Sequence, residues 1–391
     1  MLENNKVPII SRGLPYRSVS EAEQSRRVAR KPKYGSPFKI PTTGIESTVC
    51  HYPIRLDVYG NGCGHDCTYC YSKSISHFFQ RWDNTNPLNA NIDDIKSTFR
   101  RIFETKKKDK LRPYLETFVP IRLGGMTDLF QPIDTERRLS LETLKLLNHY
   151  DYPAIIVTKG SALINNEDAL NLLAEGNYLV QVTITTASEE YSRLVEPGAP
   201  TPKARIDLIK QLKVRGIPVQ GRVSPLFPLV PVGRDPNDLS APRLKYFSLD
   251  LIDEIIGAGA FHVIAEFLRL SGFARNFFRN ATGVDLYEFY TNKASCSLLS
   301  YRKYPQADKV LLFKIIRERC LSSSIGFSVC PDEGDDPGLD TTVNCCGTDG
   351  LPGFENCLNR ERLNIDINEA DFTPGLTTVT ESNKEVQDVQ A

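Results

Sequence analysis

The chain carries no net charge. Its 48 Lys and Arg balance 48 Asp and Glu over 391 residues, so the molecule as a whole is not a polyelectrolyte. It has no apolar run near the ~20 residues that a helix needs to cross a bilayer. Met1-Leu-Glu-Asn-Asn-Lys6 has none of the basic-then-apolar layout of a secretory signal. No internal repeat is visible. These absences lead to the expectation of a cytoplasmic, monomeric protein with no membrane partner. A composition of 40% hydrophobic and 25% charged residues is ordinary for a globular protein, with length enough for one large domain and its appendages.

What stands out instead is cysteine, with ten residues. A disulfide framework does not suit so long a chain with cysteines so tightly grouped; a reducing compartment and metal binding do. Three of them, Cys63, Cys67 and Cys70, lie in Tyr59-Gly-Asn-Gly-Cys-Gly-His-Asp-Cys-Thr-Tyr-Cys-Tyr71, spaced Cys-x3-Cys-x2-Cys, after an apolar run from Ile54 to Tyr59 that reads as a strand. Thiolates are soft ligands for iron–sulfur clusters, zinc or copper(I). Three on one loop leave the site one ligand short, and an open position is the mark of a reactive site rather than a structural one. The other reading is zinc, with His65 or a distant cysteine as fourth ligand, in a non-catalytic binding module. Gly62 and Gly64 let the backbone bend closely around a bound group.

Downstream, strand-like and helix-like segments alternate. Strands are expected at Phe118 to Leu123, Ala154 to Val157, Tyr178 to Thr185, Pro218 to Val223, Phe261 to Phe267 and Ser324 to Val329. Helices are expected at Ile92 to Phe103, Thr135 to Leu147, Glu167 to Leu173, Ala204 to Val214 and Leu249 to Ile256. Such alternation predicts an α/β fold of parallel strands with helices outside, either a barrel or a doubly wound sheet. In barrels, function sits at the C-terminal strand ends. Those ends here carry Gly124-Gly-Met-Thr-Asp128, Thr158-Lys159, Thr183 to Thr185, and Arg222-Val-Ser224.

The cysteine motif resembles the signature of the radical S-adenosylmethionine (SAM) superfamily. A second stretch, Leu194-Val-Glu-Pro-Gly-Ala-Pro-Thr-Pro-Lys-Ala-Arg205 with the strand ending in Arg222-Val-Ser-Pro225, is similar to the spore photoproduct lyase-like branch. The resemblance covers roughly residues 50 to 270. It implies a partial (β/α)6 barrel, with Cys63, Cys67 and Cys70 holding three irons of a [4Fe–4S] cluster and SAM chelating the fourth. An electron, from a flavodoxin- or ferredoxin-like donor, would then cleave SAM to a 5′-deoxyadenosyl radical that abstracts hydrogen from substrate. It also implies SAM contacts from Tyr69, against the adenine, and from Gly124, Gly125, Thr127, Asp128, Thr158, Lys159, Thr183, Thr185, Arg222 and Ser224. The lyases place a hydrogen-donating cysteine just beyond the second strand, and Leu123 to Pro132 contains none.

Four more cysteines, Cys330, Cys345, Cys346 and Cys357, fall in or before a Gly/Pro/Asp-rich C-terminal extension with little core of its own, which a metal would tie down. They are candidates for a second Fe–S cluster, a structural zinc, or free thiols with a radical-relay cysteine among them. Cys296 and Cys320 read as packing residues, and Cys50 carries no clear signal. Four regions are expected: a basic arm at 1–49, the barrel at 50–330, the Cys-rich extension at 331–372 and a disordered tail at 373–391. The arm and the Arg/aromatic stretch Phe267 to Arg279 are candidate nucleic-acid contacts. The substrate is accordingly a nucleic acid or nucleobase, with a peptide or small molecule as the other reading.

Overall fold

The computed structural model describes residues 34–40, 50–78, 81–238, 240, 244–290, 292–295, 300–330 and 338–357. Most of the arm read over 1–49, all of the tail read over 373–391, and Cys296 with its side chain lie outside the described residues.

The strands are β1 (Phe38–Lys39), β2 (Arg55–Leu56), β3 (Tyr59–Gly60), β4 (Leu88–Asn89), β5 (Ile121–Leu123), β6 (Ala154–Thr158), β7 (Tyr178–Thr183), β8 (Val219–Leu226), β9 (His262–Phe267), β10 (Leu270–Ser271), β11 (Asn292–Ser295), β12 (Ser300–Lys303) and β13 (Gly326–Val329). An eight-stranded sheet runs β1-β2-β5-β6-β7-β8-β9-β13. Every pairing from β2 to β13 is parallel, and only β1, from the end of the stretch read as an arm, joins antiparallel. The apolar runs of β6 and β7 are buried along almost their whole length, as parallel strands covered on both faces must be.

Interactions across the sheet show that it curls. Arg122 on β5 and Arg222 on β8 both act on Cys330, which follows β13. Cys330 in turn acts on Cys50, just ahead of β2. Strands at opposite ends of a flat sheet could not share such neighbours, so this is the expected partial barrel. The lumen is closed from below by residues 338–357. Gln220 donates to the carbonyl of Cys346 at 2.6 Å, Ser328 Oγ donates to that of Cys345 at 2.5 Å, and Tyr52 Oη meets Thr348 Oγ1 at 2.6 Å.

Local chemistry sets the element ends. Helix Ile92–Phe103 occurs as expected, with Asn91 accepting from the Asp93 N–H at the N-cap, acids in its first turn and arginines in its last. The helix expected over Thr135 to Leu147 is two, Asp134–Arg137 and Leu139–His149, because Arg138 adopts φ 53° and breaks the ladder. The strand read over Ile54 to Tyr59 is likewise interrupted. Asp57 turns its carboxylate to the Met126 N–H at 2.8 Å, and Tyr59 leaves the main sheet to pair with Asn89. The strand expected from Phe118 begins only at Ile121, since Phe118 itself has φ 52°. Cys320 is fully buried in helix Gln306–Ser322, a packing residue as expected. Among the described residues no helix is long and apolar enough to cross a membrane.

Candidate active site

The cysteine loop leaves β3 and enters helix Tyr71–Phe78. Its geometry is set by backbone contacts that exclude side chains. A Cβ on Gly62 would stand 1.7 Å from the carbonyl of Asp83, and one on Gly198 would stand 1.8 Å from the carbonyl of Gly64. The Glu-Pro-Gly segment therefore lies directly on the cysteine loop. Two further bonds fasten them, Thr68 N–H to the Val195 carbonyl at 2.8 Å and Gly198 N–H to the His65 carbonyl at 3.1 Å. Two motifs more than 120 residues apart in the chain form one structure.

Below this contact lies a buried ionic network. Glu196 is 1% exposed and Arg205 fully buried. Glu196 accepts hydrogen bonds from Arg205, from the Tyr69 hydroxyl and, at 3.2 Å, from Thr185 Oγ1, with Lys159 Nζ at 3.8 Å. Burial opposes its charge, but Arg205 and Lys159 outweigh burial and hold its carboxyl down at about 2. Lys159 also stands over the Tyr69 ring, 5.7 Å from its centre. Tyr69 packs edge-on to Phe227 at 5.7 Å. Arg205 donates as well to the carbonyl of Thr183 at 3.1 Å.

The second-strand end is equally organised. Gly124 has φ 84°, and a Cβ there would stand 2.2 Å from the Val157 carbonyl; the Gly125 carbonyl accepts from the Tyr71 hydroxyl. Thr127 Oγ1 donates to the Tyr59 carbonyl at 2.7 Å. Asp128 accepts from Thr158 Oγ1 at 2.7 Å, the Lys159 N–H at 2.6 Å and the Phe130 N–H at 2.9 Å. Its carboxylate is thus engaged by protein donors. Farther round the barrel, Ser224 donates to Glu266 at 2.9 Å, and Arg222 bridges Glu266 at 3.1 Å and Gln181 at 3.2 Å.

His65 is tied to its neighbours by both edges of its ring. Its Nε2 meets Ser161 Oγ at 2.7 Å and its Nδ1 lies 3.5 Å from Asp128; burial holds it neutral, down at about 4. Among the described residues, no three His, Cys, Asp or Glu side chains converge on a single metal ion. In a cubane each thiolate binds a different iron, so its ligands need not converge in that way. Cys63 and Cys67 are buried and Cys70 half-buried, and burial raises all three thiols, Cys67 to about 12. Beside them the hydroxyl of Thr68 and the amide nitrogen of Gln131, whose Oε1 accepts from the Gly64 N–H at 2.9 Å, are buried without a hydrogen-bond partner. Soft donors, a glycine cradle and orphaned polar atoms fit a cluster with a polar ligand upon it.

Sequence reading missed Arg205, Asp57 and the role of His65. Only Glu196 carried a signal, through its Pro-Gly sequel. The Arg/aromatic stretch expected to meet nucleic acid spends much of its charge internally. Arg275 pairs with Asp285, Arg279 approaches the same carboxylate at 3.9 Å, and Phe278 is buried.

Residues 58–232 match the family model of the Radical SAM superfamily. An uncharacterised protein of Mycobacterium tuberculosis (strain ATCC 25618 / H37Rv) is 27% identical over 232 residues, which make up 58% of this chain and 62% of that relative's length. One from Acidianus two-tailed virus is 27% identical over 203 residues, 50% of this chain and 64% of the relative. Among solved structures, a spore photoproduct lyase complexed with dinucleoside spore photoproduct superposes with a TM-score of 0.52 at 15% identity, over 72% of this chain and 77% of the lyase. A variant of the lyase with bound AdoMet does so with a TM-score of 0.52 at 16% identity, over 71% and 76%. Residues 58–232 are thus similar to the Radical SAM superfamily, and the chain has the fold seen in spore photoproduct lyase.

Proposed function

We propose that the protein cleaves SAM reductively at a [4Fe–4S] cluster held by Cys63, Cys67 and Cys70, and directs the resulting chemistry at a substrate in the barrel lumen. When bound, the cluster and SAM supply a one-electron cleavage that generates a hydrogen-abstracting radical. The observation that carries this reading is the packing of Gly198 on the Gly64 backbone, with Glu196 reaching Tyr69 beneath it. It sets the cysteine loop over the strand ends, where barrels place their ligands.

The chain's own residues do the positioning. Gly62, Gly64 and Gly198 admit the loop's tight path, Gln131 holds the Gly64 N–H, and His65 ties the loop to Asp128 and Ser161. Tyr69 is set by Glu196 at the position for the adenine. Gly124, Gly125, Thr127, Asp128, Thr158, Lys159, Thr183, Thr185, Arg222 and Ser224 form the surrounding strand-end wall. The apolar side chains behind them exclude water from the site. A flavodoxin- or ferredoxin-like donor in the cytoplasm would supply the electron.

For the substrate we favour a nucleic acid or nucleobase. The fold likeness to a lyase solved with a dinucleoside photoproduct supports this class. The chain lacks a cysteine between Leu123 and Pro132, so the hydrogen returned to product would come from elsewhere. Anaerobically reconstituted protein with SAM and dithionite should yield 5′-deoxyadenosine, and Cys67→Ala should abolish the yield. Absence of that product from iron-loaded protein would sink the reading. Deuterium carried into 5′-deoxyadenosine from labelled oligonucleotide, and not from labelled peptide, would support the substrate class.

A further inference from the structure

We propose that Gln131 donates a hydrogen bond from its side-chain amide to a sulfur on the Cys63 side of the bound cluster, and so makes that cluster easier to reduce. The proposal rests on the reading of Cys63, Cys67 and Cys70 as cluster ligands. Gln131 is wholly buried, and its Oε1 accepts from the N–H of Gly64, the residue after Cys63, at 2.9 Å. Of the two ends of an amide only the oxygen can accept from that donor, so the orientation of the group is fixed. Covalent geometry puts the amide nitrogen about 2.2 Å from the oxygen, which holds it at the cysteine loop. That nitrogen carries two N–H donors and has no hydrogen-bond partner among the described residues. Leaving a buried donor in this state costs about 1–3 kcal/mol, and native proteins do so rarely.

The backbone on either side of the residue is pinned. The Gln131 carbonyl accepts from the Asp134 N–H at 2.9 Å, and the Phe130 carbonyl from the Ala162 N–H at 2.8 Å. Asp134 accepts in turn from the hydroxyl of Tyr59, on the strand from which the cysteine loop departs. Pro132 stands against Gly64, 3.2 Å from the place a Cβ would take. The turn after β5 and the cysteine loop are therefore one unit, and the amide is built into the contact between them.

The motif already gives a backbone N–H to sulfur at its other end, where the Lys73 N–H lies 3.4 Å from Cys70 Sγ. Gln131 supplies the corresponding donor at the near end. Hydrogen bonds to the sulfurs of a cluster offset the negative charge added on reduction and raise its potential.

Full-length protein isotopically labelled only at its glutamine side-chain nitrogens, reconstituted anaerobically with iron and sulfide and reduced without SAM, provides the test. Pulsed electron paramagnetic resonance should show a weak nitrogen coupling to the reduced cluster. The coupling should vanish in Gln131→Glu, which keeps an oxygen for the Gly64 N–H but has no amide nitrogen. Gln131→Met should hold the same iron and sulfide, with a cluster about tenfold harder to reduce, or about 59 mV for one electron. A loaded cluster with no glutamine coupling overturns the proposal; so does coupling that persists in Gln131→Glu, or an unchanged potential in Gln131→Met. If Gln131→Met loses its iron, the coupling in the unmodified protein decides, and that measurement needs no variant. Unmodified protein that binds no cluster would sink the SAM reading and this proposal together. A cluster that forms and cleaves SAM, yet shows no glutamine coupling, would remove the role of Gln131 alone.

Discussion

Glu196 shows how much one side chain carries here. Fully buried carboxylates are unstable unless paired and hydrogen-bonded, and this one has Arg205, Lys159, Tyr69 and Thr185 around it. Its folded pKa, about 2, lies below its ordinary 4.5. A depressed carboxyl contributes stability that is fully present above the unfolded value and is lost as pH falls through the folded one. The protein should therefore lose on the order of 3 kcal/mol through this group between about pH 4.5 and pH 2. Urea titrations across that range should show a flatter pH dependence for Glu196→Gln, together with lower stability at neutral pH because buried Arg205 and half-buried Lys159 lose their counter-ion. Equal slopes in the two proteins would refute the assignment. The residue was visible in the sequence as part of Glu-Pro-Gly. Its partners were not, because Lys159 and Arg205 sit on different elements and only the strand order brings them to one carboxylate.

The cysteine loop and the turn after helix Glu189–Val195 act as a pair. The contact between them is backbone on backbone, Gly198 against the Gly64 carbonyl, so it tolerates no side chain. Gly198→Ala should cost about 1–3 kcal/mol through overpacking. It should also lower iron bound per chain in reconstituted protein, with circular dichroism of the barrel retained. Normal iron loading in the Ala variant would show that the turn does not set the loop. Element boundaries were legible where capping or periodicity is local, as for Ile92–Phe103 with Asn91 before it. They were misread where a single backbone conformation overrides a good pattern: Arg138, at φ 53°, splits a helix that its apolar spacing would continue. The three-stranded sheet β10-β12-β11 gave no signal, since its strands are only two to four residues long and draw their pairing from each other.

At the scale of the molecule, the barrel depends on its C-terminal segment. Residues 338–357 supply hydrogen bonds to Tyr52, Gln220 and Ser328, all buried lumen groups. Gly347 must be glycine, with φ 58° and a Cβ position 2.7 Å from the His262 ring. A chain ending at Cys330 leaves those polar groups unpaired in an opened lumen, each costing about 1–3 kcal/mol. Such a chain should lose the single cooperative urea transition and bind a hydrophobic dye, whereas a sharp transition near that of the intact chain would show the segment to be dispensable.

The sequence by itself determined the cysteine spacing of the loop, the glycines that shape it and the α/β class, because each is written in residues a few positions apart. The tertiary structure alone decided that His65 meets Ser161 and Asp128, and that Glu196, Arg205, Lys159 and Tyr69 form one network. These are contacts between elements far apart in the chain. They exist only once parallel strands curl and bring their ends around a common lumen, and no local spacing encodes which side chains will then meet.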